Sequence, residues 1–177
     1  MSQKRFFYCE AAGSVVIYLI ATLLHFVYLL SGGSALSILF GAVNESVWEH
    51  IKIFAAGYIL WAGMELLLCR LPFRKFLCAK VTGLYLLSGL IAGFFYLYTF
   101  LIGRSIPAVD MISAFVFVCL AQAVSYRITV TDRDTARFFK EAAMLLLLYF
   151  LMFFSFTIFP PKASLFMDPI TGGYGIP

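Results

Sequence analysis

Apolar positions run almost unbroken from about residue 7 to residue 30. That is long enough for a helix to cross the ~30 Å hydrocarbon layer, which takes about 20 residues. Four further runs meet the same test, at about 53–69, 76–102, 107–126 and 138–159. The breaks between them carry turn chemistry: Ser31-Gly32-Gly33, Leu71-Pro72 and Pro160-Pro161. Pro107 suits the first turn of a helix, where its missing N–H is no loss. Residues 34–43 (SALSILFGAV) are apolar but too short to cross, so they predict an interfacial or re-entrant piece. The pattern therefore predicts an all-α fold, a polytopic transmembrane helix bundle of about five spans plus one short helix. The bundle occupies residues 1–159, and a Pro/Gly-rich tail follows at 160–177.

Composition agrees. The 177 residues are 63% hydrophobic and 12% charged, with mean hydropathy +0.96. A soluble domain carries about 25% charged residues, so this chain needs lipid as part of its solvent. The net charge of +4 then reports orientation rather than nucleic-acid binding. Lys4 and Arg5 precede the first run as in a signal peptide, but an apolar segment far beyond the usual ~7–15 residues reads as a retained anchor. With the N-terminus inside, ten basic residues face the cytoplasm: Lys4, Arg5, Arg70, Arg74, Lys75, Lys80, Arg127, Arg133, Arg137 and Lys140. Only Lys52, Arg104 and Lys162 fall outside. The C-terminal tail and residues 44–52 then share the outer face. Cys9, Cys69, Cys78 and Cys119 avoid the outer loops, which predicts free thiols. Gly89 and Gly93 form a GxxxG pair, a signal of close helix packing.

The densest polar stretch is NESVWEHIK, residues 44–52. Its plainest reading is capping. Ser46 and Glu49 fit the S-x-x-E box, Asn44 is an alternative N-cap, Trp48 is an interfacial belt residue, and Glu49–Lys52 is an exposed i,i+3 pair. Continued as a helix, Glu45, Trp48, Glu49 and Lys52 share one face while His50 turns away toward the bundle. His25 lies at the same depth in the first span and Asp110 near the outer start of the fourth. Ionisable groups in spans are costly and mark function by default. His25, His50 and Asp110 thus define a candidate outward pocket, rimmed by Glu45 or Glu49, with Arg104 and Lys52 suited to an anionic group. Glu65 sits near mid-depth of the second span, as a proton or cation site or a partner of Tyr85 or Thr82. Glu10 is expected to snorkel toward Lys80 or Arg70. The tail is too apolar for a disordered end, with Leu165, Phe166, Met167, Ile170, Tyr174 and Ile176. It is expected to fold back over the mouth, bringing Asp168 and Tyr174 to the NESVWEH segment.

The NESVWEHIK stretch and the later PP…LF-x-DP-x-x-G-x-YG ending resemble an uncharacterised family of small bacterial multi-span membrane proteins, a domain of unknown function. The resemblance implies architecture and a bacterial cytoplasmic membrane, and no activity. It marks Asn44, Glu45, Trp48, Glu49, His50, Asp168 and Gly175 as parts of a family pattern. Three functions compete. The leading one is a protein binding a small or lipid-like ligand in the outward pocket, as a transport-related subunit with a membrane partner or a second copy. The alternative is a metal-dependent lipid hydrolase with zinc or another divalent metal on His25, His50 and Glu49, although no HExxH or GxSxG motif supports it. The third is a structural or assembly factor.

Overall fold

A computed structural model of the protein describes residues 3–69 and 71–177, so Arg70 lies outside the described residues. Six α-helices follow in chain order: α1 Gln3–Leu30, α2 Ala35–Phe40, α3 Val47–Cys69, α4 Phe73–Ile102, α5 Pro107–Val130 and α6 Phe139–Ile158. All but α2 are long and apolar enough to span a membrane, α6 together with the 3-10 turn Thr135–Phe138 before it. The short segment after α1 makes no sixth crossing. Its six-residue helix α2 packs against α1, α3 and α6.

α3 is the centre of the bundle. It contacts α1 and α4, carries the most buried surface of the five spans, and contributes Ile53, Phe54, Ala55, Ala56, Tyr58 and Trp61 to the main apolar core. α1 and α4 pack against it, α5 closes the bundle by packing on both α1 and α4, and α6 packs on α4. Lipid-facing residues such as Leu67, Phe100, Leu101 and Phe159 are exposed, as expected where lipid replaces water. α4 ends where Gly103 takes φ +81°, a left-handed cap whose N–H bonds the Thr99 carbonyl. The chain turns there, and α5 begins at Pro107.

The close approaches run through glycines other than the GxxxG pair. A Cβ on Gly13 would overlap the Trp61 indole and the Gln122 amide, and one on Gly83 would overlap the Tyr58 hydroxyl. Gly89 and Gly93 instead face outward with no atom near a built Cβ, so the GxxxG pair does not pack this bundle. Spacing marks such a pair, but which face meets a neighbour is set by tertiary order. Gly13→Ala is expected to destabilise the protein, since overpacking costs about 1–3 kcal/mol against a helix-propensity gain of at most ~1. Gly89→Ala should be neutral or slightly stabilising. Thermal unfolding of both variants in detergent, followed by circular dichroism, checks the contrast.

Candidate functional site

Helix α3 begins at Val47, and this decides the geometry of the NESVWEH segment. Asn44 Oδ1 accepts the Ser46 N–H at 2.9 Å, and Ser46 Oγ accepts the Glu49 N–H at 3.4 Å. Ser46 is thus the N-cap. Glu49 reaches past it to accept the Val43 N–H at 2.9 Å. Glu45 lies before the helix, so the helical projection that grouped it with Trp48, Glu49 and Lys52 does not apply. The loop turns its carboxylate onto the histidines instead, with Oε1 3.6 Å from His25 Nε2 and Oε2 3.6 Å from His50 Nε2.

The Glu49–Lys52 pair is buried, contrary to the exposed pair expected. Glu49 is 3% exposed and Lys52 not at all. Lys52 Nζ lies 2.6 Å from Glu49 Oε2 and donates to the Ile38 carbonyl at 3.0 Å, tying α3 to α2. Neither residue is available to a ligand, and Glu49 is not the carboxylate that meets the histidines. Trp48 is no belt residue: it is buried against Phe156 and Phe166. Arg104 is exposed and stands outside the pocket lining.

A pocket of about 460 Å³ opens beside the histidines. His25, Glu45, His50 and Asp110 all line it, with Tyr18, Phe54, Ile91, Phe95 and Met111 among its apolar walls. His50 Nδ1 sits 2.9 Å from the Ser46 carbonyl. A carbonyl only accepts, so Nδ1 carries a proton, and in the neutral ring Nε2, which faces Glu45, is the nitrogen with the free lone pair. Asp110 accepts from the Tyr98 hydroxyl at 2.5 Å, which in turn accepts the Ile106 N–H at 3.1 Å. Tyr98 was missed by the sequence reading; its position just across the Gly103 turn from Asp110 was the available signal.

The tail closes one side. Asn44 Nδ2 donates to the Gly175 carbonyl at 2.8 Å, Phe166 packs on Trp48, and Pro169 and Ile170 line the pocket. Asp168 organises the turn, accepting from the Ile170 N–H at 3.1 Å and the Thr171 hydroxyl at 2.7 Å. Burial by itself would raise its carboxyl. The Thr171 hydroxyl and the N–H groups of Ile170, Thr171 and Glu45 outweigh that and hold it below the ordinary value. This contribution is complete above the ordinary aspartate range and is lost only as the pH falls through the lowered value. Tyr174 bridges Met167 and remains partly exposed.

A second polar cluster lies toward the other end of the helices. Lys80 Nζ donates to Glu10 Oε2 at 2.8 Å and Gln122 Oε1 at 3.1 Å, and it also pairs with Glu65. Ser125 donates to Glu10 Oε1 at 2.9 Å, and the Gln122 amide donates to the Glu10 backbone carbonyl at 3.2 Å. Glu10, Glu65 and Lys80 are all buried, so Glu10 does not snorkel. Glu65 meets Lys80 rather than Tyr85 or Thr82, whose hydroxyls bond the Leu145 and Cys78 carbonyls. It also lies deeper than expected, roughly 27 Å from the start of α3 at 1.5 Å per residue, because the helix begins six residues before the apolar run. The four cysteines are free, with the Cys9 and Cys69 sulfurs 3.1 Å apart.

No curated protein and no solved structure matches the chain. One protein-family pattern does, over residues 2–176, nearly the whole length. On that match the chain, a bundle of five membrane-length helices with a short sixth, belongs to a family of unknown function (DUF6512).

Proposed function

We propose that this protein holds an amphipathic, lipid-like ligand in the pocket beside His25, Glu45 and His50. The observation that carries the reading is the division of the pocket's lining. Its volume of about 460 Å³ falls in the usual range for small-molecule sites, ~300–1,000 Å³, and its walls are mainly apolar. The ionisable groups His25, Glu45, His50 and Asp110 belong to one end of the bundle, the end of α1 and the starts of α3 and α5. A polar headgroup has partners there, and an acyl chain has Phe54, Ile91, Phe95 and Met111 beside it.

The basic residues support an outward-facing mouth. Among the described residues, leaving out the buried Lys80 and Lys52, eight Lys and Arg remain at the opposite end and two, Arg104 and Lys162, at the pocket end. The N-terminus is then inside and the mouth opens away from the cytoplasm.

Delipidated protein should gain thermal stability when a lysophospholipid or fatty acid is added. Ligand at 100 times its Kd stabilises by about 2.7 kcal/mol. Thr22→Trp, which fills the pocket from an exposed position on α1, should abolish the gain. An equal gain in wild type and variant, or no gain from either lipid class, contradicts the reading.

A further inference from the structure

We infer that His25, Glu45 and His50 form a binding site for a divalent transition metal ion of the zinc class, with an open coordination position facing the pocket. One donor atom from each residue lies within 4.8 Å of the other two, and the two carboxylate–imidazole separations are 3.6 Å. Ligands placed tetrahedrally at ~2.0–2.1 Å from zinc sit about 3.3 Å from one another. The two carboxylate–imidazole edges are therefore within a few tenths of an ångström of a ligand cage, and the third, within 4.8 Å, closes with a shift of up to about 1.5 Å in side chains that are partly exposed.

Three further features fit metal better than a histidine–carboxylate ion pair. The Ser46 carbonyl takes the Nδ1 proton of His50 as acceptor, which leaves Nε2 of the neutral ring to ligate; metal-bound imidazoles habitually donate their other N–H in this way. The donors come from three elements, α1, the loop before α3, and α3 itself, so one ion would cross-link them. The set also stops at three protein ligands. Structural zinc sites have four, whereas three leave a position for water or an incoming ligand. Here that position faces the pocket, where the anionic oxygen of a headgroup would complete the shell. This role for the fourth position rests on the ligand reading above; the metal itself rests on the three donors alone.

The test uses purified, detergent-solubilised full-length protein stripped with a chelator and titrated with Zn²⁺, and separately with Co²⁺. One equivalent should bind, and Co²⁺ should give the visible absorption of a four-coordinate nitrogen/oxygen site. Removing a group that merely hydrogen-bonds a metal ligand costs ~10–100-fold in affinity, so removing a ligand itself, in His25→Gln, Glu45→Gln or His50→Gln, should lose at least about 100-fold. These side chains are half-exposed or exposed, and size-exclusion profiles establish that each variant is folded. Glu141→Gln, which removes a carboxylate at the opposite end of the bundle, should bind like wild type. Folded wild type that takes up no stoichiometric metal, or affinity unchanged in all three ligand variants, overturns the assignment. The titration needs no lipid, so its failure is distinguishable from failure of the lipid-binding measurement.

Discussion

Lys80→Met should cost the protein about 3–5 kcal/mol, the usual consequence of leaving a buried charge without its partner. Lys80 is the cation between Glu10 and Glu65, hydrogen-bonded to Glu10 and Gln122 and ion-paired with Glu65. Methionine keeps much of the volume beside the Tyr58 and Phe76 rings, over which the ammonium sits at 5.3 and 5.5 Å. What is lost is charge. One ammonium balances one carboxylate, so the second acid is surplus to the charge balance. Glu65→Gln should therefore be mild, on the order of 1 kcal/mol, because it removes the surplus rather than the compensation. The triple variant Lys80→Met, Glu10→Gln, Glu65→Gln should recover much of the loss. Thermal unfolding in detergent ranks the three, and a Lys80→Met protein as stable as wild type would show that the cluster is not held by ion pairing.

Glu49→Ala should have a comparable effect at the pocket end, and its size separates two roles for the same residue. If Glu49 merely completed a capping box, its removal would cost about 1 kcal/mol. Here the carboxylate pairs with Lys52, which is wholly shielded from solvent, and accepts the Val43 N–H. Its loss strands a buried ammonium and a buried amide together, which predicts about 3–5 kcal/mol. Glu49→Ala with Lys52→Met should restore a large part of the stability, because no buried charge is left. The pair also fixes the loop that aims Glu45 at His25 and His50, so the single variant should weaken ligand binding along with stability. Circular dichroism melts of the single and double variants decide it; a loss near 1 kcal/mol with no rescue would return Glu49 to a capping role.

The spans were legible because each is a long apolar run, all but the fourth ended by glycine or proline, and membrane thickness sets their length. Fine boundaries were less so, and one mattered. Starting α3 at Val47 rather than continuing the helix back through Glu45 changed which carboxylate meets the histidines. A helical projection holds only inside a helix, and the Asn44–Ser46 cap ended it. His25, His50 and Asp110 were placed at one depth by counting residues, and depth was enough to group them. The Glu10–Lys80–Glu65 cluster depended on lateral order, since α1, α3 and α4 had to be adjacent. Glu49 and Lys52 looked like a surface pair because i,i+3 charges usually are one; the fold of α2 over them is what removed their solvent.

The most direct test of the account is native mass spectrometry of the gently solubilised protein beside Ala114→Phe, a substitution that fills the pocket from α5. The account predicts a wild-type protein carrying a bound mass of lipid size that survives mild activation, and a folded variant from which it is absent. A wild-type protein with no bound mass, or the same adduct on both proteins, would contradict the claim that this pocket is the ligand site.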